Sequence, residues 1–210
     1  MLGQHAFSQP VQVAVTPDQS TAPRDAEAAA FDRMVLAAVL EKALGERDRH
    51  GDGLARQVGI SGTALGILLM LNVPGHPVLA PEDYAPADTC EEQAWVRDLL
   101  TRNISTGLEI SSWLAAIVAR RAMEGNHLWE DLGLPDRAAL TRLMNVHFAP
   151  LATRNTLDMR WKRFLYRTLC EEEGLVQCTS PTCGACADVA SCFPADSAEA
   201  LIAKSKQAPR

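Results

Sequence analysis

The segment Leu108–Met123 constrains the fold more than any other. Ile110, Trp113, Leu114, Ile117 and Val118 recur at the i, i+3, i+4, i+7, i+8 spacing of one helical face. Arg120 and Arg121 crowd its C-terminal end, where the helix macrodipole favours cations. An apolar stripe of this width must be buried against other elements. The chain offers helices for that purpose: aromatics and β-branched runs are sparse, and no convincing period-2 alternation appears. The expected fold is therefore all-α, a single helical domain. With 210 residues, 47% of them hydrophobic, it has enough apolar surface to form a core without disulfides.

Other helices follow from their punctuation. One is expected over Arg24–Leu44, with Phe31, Met34, Val35, Ala38 and Val39 on one face and Gly45 as the stop. Gly53–Leu71 reads as two short helices broken at Gly59–Gly62. Four prolines make Asn72–Pro86 an extended connector. Asp88 is the expected N-cap of a helix reaching about Asn103. A turn at His127–Leu132, a helix from Pro135 to about His147 and a long one over Thr156–Glu173 complete the series, with Gly174 ending the helical part.

These elements divide the chain into a loose N-terminal arm (1–23), an all-α domain (24–194) containing a cysteine-rich loop (174–194), and a C-terminal tail (195–210). The arm has no Lys or Arg before Arg24 and no sustained apolar run, so it lacks the features of a secretory signal and implies a cytoplasmic address. Ala64–Leu71, the greasiest run, is far short of the roughly 20 residues that span a bilayer. A formal net charge of −6 argues against broad attraction to nucleic acid or anionic lipid.

Four thiols, Cys178, Cys183, Cys186 and Cys192, fall within fifteen residues, in a segment bent by Pro181 and Gly184. A disulfide framework is not the expectation for a chain with this much core. Structural zinc modules usually separate two short cysteine pairs by a dozen or more residues, a gap missing here. Closely spaced cysteines from one loop suit an iron–sulfur cluster, and the four-then-two spacing echoes plant-type ferredoxin ligation. Cys192 departs from that pattern, being followed by Phe193-Pro194. The spacing thus favours a soft-metal site, cluster over zinc, with reduced free thiols as the bland alternative.

The helix leading into this loop has two faces. Trp161, Phe164, Leu165, Thr168 and Leu169 recur at core spacing, while Arg160, Arg163 and Arg167, with Lys162 beside them, line another side. That basic side is either a plain solvated face or a ledge that attracts an oxyanion or an acidic partner. Cys170, close to Arg167 and Lys162, sits where a thiolate is favoured, though a half-buried structural cysteine fits equally. Glu171–Glu173 oppose the macrodipole and, if not simply solvated, offer hard oxygen donors for a second type of metal.

His127 and His147 read more readily as capping or packing residues than as ligands. Cys90 is isolated and receives no role. Leu54–Leu65 has the look of a helix-turn-helix, but the would-be recognition helix Gly62–Leu71 is almost wholly apolar and belongs in a core rather than a DNA groove. No glycine-rich phosphate loop, nucleophile elbow or zinc-hydrolase helix is present, which directs the reading toward a carrier rather than an enzyme.

Three stretches together resemble the NifQ family of nitrogen-fixation proteins: His127-Leu-Trp-Glu-Asp-Leu-Gly-Leu134, Asp158-Met-Arg-Trp-Lys-Arg-Phe-Leu-Tyr-Arg-Thr-Leu-Cys170, and the four-cysteine loop ending Cys192-Phe193. The resemblance covers the C-terminal half, from about Leu108 onward. It implies a molybdenum–iron–sulfur cluster held by Cys178, Cys183, Cys186 and Cys192. The implied role is to supply molybdenum, taken up as molybdate or from another source, for assembly of the nitrogenase iron–molybdenum cofactor. The implied partners are the cofactor scaffold and the nitrogenase iron protein. The group that completes the molybdenum site does not follow from the motif; His127, Cys170 and Glu171 are the candidates. An iron–sulfur electron-transfer protein and a zinc-stabilised interaction protein are the alternatives.

Overall fold

The computed structural model describes residues 26–73, 75–76, 78–85, 89–174 and 201. Among them every regular element is helical, in agreement with the expected class: α1 (Ala26–His50), α2 (Leu54–Val58), α3 (Gly62–Asn72), a 3₁₀ turn (Pro81–Tyr84), α4 (Glu91–Arg102), α5 (Glu109–Ala122), α6 (Leu128–Asp131), α7 (Arg137–His147), α8 (Ala149–Ala152) and α9 (Trp161–Glu172). No helix among the described residues is long and apolar enough to cross a membrane. The arm (1–23) lies outside the described residues, as do the cysteine loop beyond Gly174 and all of the tail except Leu201.

The core is built around α5. The five apolar positions that define its stripe are all buried, and so are Ser111, Ala115, Ala116, Ala119 and Ala122, which leaves little of the helix facing water. Small residues between the large ones let neighbours approach on several sides. α4 packs along α5 and runs antiparallel to it, because Cys90, just before α4, meets Met123, just after α5. α9 lies beside α4 with the same direction: Arg102, ending α4, reaches Glu172, ending α9, at 3.1 Å.

Gly59 shows why the break between α2 and α3 falls where the sequence places it. Its φ of 84° is left-handed, and a Cβ there would stand 2.3 Å from Cβ of Arg120. Glycine both permits the turn and lets the end of α2 touch α5. α3 buries Leu65, Leu68 and Leu69 in the core, as expected for an apolar helix, but leaves Met70 and Leu71 exposed.

Several boundaries differ from the sequence reading, each for a local reason. α1 continues through Gly45 and ends near Gly51, whose φ is 76°. A mid-helix glycine costs only about 1 kcal/mol, which the buried seam of Leu36, Val39, Leu40 and Ala43 outweighs. Met34, expected on that seam, is exposed instead. α4 is preceded at its N-cap by Cys90 rather than Asp88. The connector is not extended throughout. Buried Asp83 accepts from the backbone N–H of Ala80 at 3.1 Å and of Leu54 at 3.2 Å, and Arg47 neutralises it at 3.2 Å. That carboxylate winds Pro81–Tyr84 into its turn and starts α2. Arg121, in the last turn of α5 as expected, is fully buried and donates to Glu46 of α1.

α9 begins at Trp161, later than Thr156. Asn155 explains the delay, since its side chain accepts from the Met159 N–H and donates to the Met159 carbonyl, both at 2.9 Å. With Asp158 at φ 47°, this holds the approach to α9 as a loop.

Candidate metal centre

Among the described residues, α9 carries most of the predicted site residues, and its packing separates them. Trp161, Phe164, Leu165 and Thr168 are buried as expected, with Leu169 packed at the margin. Tyr166 is buried too, which the periodicity did not signal. Its hydroxyl donates to Sδ of Met123 at 3.6 Å, the same sulfur that Cys90 Sγ approaches at 3.8 Å.

Lys162 is not on a basic ledge. Its side chain is 10% exposed, and its Nζ donates to Oδ2 of Asp131 and to the carbonyl of Glu124, each at 2.6 Å. Asp131 in turn accepts from Asn126 at 2.9 Å. The ammonium therefore ties the first turn of α9 to α6 and to the end of α5. The physical reason is reach: a four-carbon stem on the core margin can carry its charge inward when a carboxylate waits there. Asp131 stands inside the quoted His-Leu-Trp-Glu-Asp stretch, yet nothing in the sequence marks it as the partner of a lysine 31 positions away.

Arg160 and His127 do come together. Nη1 of Arg160 lies 2.7 Å from Nε2 and 3.1 Å from Nδ1 of His127. One Nη1 this close to both ring nitrogens places the guanidinium against the imidazole rather than along one nitrogen's lone pair. A metal cation bound by His127 would have the Arg160 charge beside it. His127 also heads α6, where Glu130 accepts from its backbone N–H at 2.9 Å. Arg163 is half-buried, and Arg167 donates through Nε to Glu171 at 2.7 Å across one helical turn. Glu171 is exposed, and its carboxylate is thus engaged by arginine.

Cys170 is half-buried in the last turn of α9 and is disulfide-bonded, whereas Cys90 is a free, exposed thiol. Its sulfur would need to be reduced before acting as a thiolate ligand. Cys178, Cys183, Cys186 and Cys192 lie outside the described residues. Among the described residues, no three His, Cys, Asp or Glu side chains converge into a group able to hold a metal ion.

His147 has a structural place. Its Nδ1 is 2.8 Å from Ser111 Oγ and its Nε2 is 3.1 Å from Asp32 Oδ1, with all three residues buried. The trio has the composition of a hydrolase triad, but Ser111 has no exposed surface and shares its hydroxyl with Thr106. Its effect is to join α1, α5 and α7. The packing role expected for His147 is what the structure contains.

Fold and sequence together define a class: a small helical domain whose last long helix is anchored at its start and leads toward a segment with four cysteines. Comparison with known proteins makes that class specific. The model of the NifQ family matches residues 35–194, a span that includes all four cysteines and ends two residues beyond Cys192. A NifQ homolog from Sinorhizobium fredii is 40% identical over 165 residues, covering 78% of this chain and 72% of that protein. NifQ of Rhodobacter capsulatus is 39% identical over 144 residues, 68% of this chain and 79% of its own length. NifQ of Azotobacter vinelandii is 46% identical over 84 residues, 40% and 43% of the two chains. No solved structure matches. The chain belongs to the NifQ family of nitrogen-fixation proteins.

Proposed function

We propose that the chain is a cytoplasmic carrier of a molybdenum–iron–sulfur cluster, and that it supplies molybdenum for assembly of the nitrogenase iron–molybdenum cofactor rather than turning over a substrate. The observation that supports this most is the placement of Cys178, Cys183, Cys186 and Cys192 inside the span shared with the family. Thiolates are the right donors: they bind iron and reduced molybdenum as soft ligands, while molybdate itself is a hard oxyanion. A bound cluster would supply the sulfur-rich setting in which molybdenum is retained.

The chain's own residues then have distinct tasks. The four cysteines hold the cluster once the disulfide of Cys170 is reduced. Cys170 and Glu171, in the last turn of α9, stand before the cysteine segment in sequence, and Cys170 is the nearest described sulfur to it. His127 has the Arg160 guanidinium against its ring, a charge that disfavours a metal cation there. Delivery takes place on the cofactor scaffold, in company with the nitrogenase iron protein.

Anoxic purification followed by metal analysis tests the proposal. Iron and molybdenum should be present together, and Cys183→Ser should lose most of both. Zinc without iron or molybdenum would overturn the carrier reading in favour of a zinc-stabilised interaction protein. A reversible redox couple with iron and no molybdenum would instead assign an electron carrier. Molybdenum unchanged in Cys183→Ser would remove the ligand set.

A further inference from the structure

We infer that a cavity beside the last turns of α9 is a docking site for a tetrahedral oxyanion, the form in which molybdenum would reach the cysteine segment. The inference rests on the carrier reading for its biological ligand but on the cavity alone for its chemistry. The cavity measures about 170 Å³ and is lined by Arg154, Thr156, Leu157 and Met159 from the loop before α9 and by Phe164, Arg167, Thr168 and Glu171 from α9 itself. At the roughly 30 Å³ that a water molecule occupies in the liquid, it has room for a five-atom anion.

The cationic and hydroxyl part of its lining suits an oxyanion. Two guanidinium groups supply forked N–H donors, and two threonines supply hydroxyls that donate or accept as required. Each arginine spends one donor on a glutamate: Arg154 Nη1 on Glu172 at 3.2 Å, and Arg167 Nε on Glu171 at 2.7 Å. The rest of each fork remains for a ligand. Glu172 is shared with Arg102 at 3.1 Å. Three arginines against two glutamates leave the cluster with a net charge of +1.

The ion pairs are exposed enough to yield. Arg154 and Arg167 are 43% and 40% exposed in their side chains, and Glu171 is 53% exposed. Pairs of that kind contribute about 0–1 kcal/mol, so an incoming dianion can displace a glutamate from an arginine at little cost. Glu171 then acts as a competitor: it fills the site electrostatically when the anion is absent and withdraws when it arrives. The sequence reading included Arg167 among its oxyanion contacts. Arg154 and Thr156 escaped it because they are loop residues with no periodicity, and only the approach of that loop to α9 brings them to the same cavity.

Isothermal titration of the metal-free, reduced full-length chain with sodium molybdate tests the inference, with sulfate and phosphate as parallel titrants and circular dichroism to verify folding. Molybdate should bind. Arg154→Gln and Arg167→Gln should each weaken it about tenfold, since each removes a charge-assisted hydrogen bond. Glu171→Gln should strengthen it, and Arg97→Gln on the exposed face of α4 should leave it unchanged. Preference for sulfate or phosphate would uphold the oxyanion site and give it a different ligand. Absence of binding by all three anions, or binding that Arg154→Gln and Arg167→Gln do not alter, would overturn the inference. The two readings fail separately. Metal-loaded chain that binds no anion when stripped keeps the carrier and loses the cavity; arginine-dependent anion binding by a chain that purifies with zinc does the reverse.

Discussion

Replacing Lys162 by Met should be among the most damaging single changes to this protein's stability, although the sequence places Lys162 with surface arginines. Methionine nearly matches the volume and flexibility of the lysine stem, so packing is largely kept and the charge alone is removed. What remains is Asp131, 2% exposed in its side chain, with Asn126 as its surviving side-chain donor, and a Glu124 carbonyl that has lost its ammonium. Removing one member of a buried pair costs about 3–5 kcal/mol, because the other is left charged and uncompensated. For a domain of this size, at about 2–4 °C per kcal/mol, the melting temperature should fall by roughly 6–20 °C. Urea unfolding followed by tryptophan fluorescence measures the change well, since buried Trp161 neighbours the site. Lys162→Met combined with Asp131→Leu should recover much of the loss, because replacing both charges with apolar groups is often neutral. Asn126, being exposed, turns to water in that variant. A Lys162→Met protein within about 0.5 kcal/mol of the parent would refute the reasoning, since that is how a solvated surface lysine behaves.

Two further changes probe the framework. Asp83→Ala should cost about 2 kcal/mol or more, because it strips an acceptor from the N–H groups of Leu54 and Ala80 and leaves Arg47 without its buried partner; chemical denaturation reads this directly. Gly59→Ala should cost about 2–5 kcal/mol by adding left-handed strain to the contact with Arg120, visible as a lowered melting temperature; a loss under about 0.5 kcal/mol would mean that α2 does not press on α5 as described.

The helical class and the central helix were legible because a 3.6-residue stripe such as that of α5 is a local signal. So was the break at Gly59, where glycine marks a turn whatever surrounds it. What escaped was non-local. Nothing near Lys162 says that Asp131 will be buried beneath it, and nothing near Arg121 says that Glu46 of α1 will meet it. Long basic side chains on a core margin have two possible destinations, and the distant partner decides between them. Asn155 is a milder case: an asparagine before a helix signals a cap, but here it grips Met159 on both backbone groups and pushes the helix start to Trp161. At the candidate centre the cysteine spacing and the arginines of α9 were readable, whereas the cavity was not, because Arg154 joins it from a loop.

α9 thus changes character along its length, and the change bears on how a metal site at its end would work. At its beginning, Lys162 is held by a buried carboxylate and Arg160 by His127, so the first turn is fixed to α6. At its end, Arg167, Glu171 and Glu172 make exposed pairs that water and salt weaken. A break at the start costs several kcal/mol, whereas a rearrangement at the end costs about 1 kcal/mol or less. The start of the helix is therefore fixed, while the exposed pairs at its end can exchange partners at little cost. The same gradient separates the two kinds of variant: Lys162→Met should lower stability, whereas Arg154→Gln and Arg167→Gln should alter anion binding in a chain that still folds.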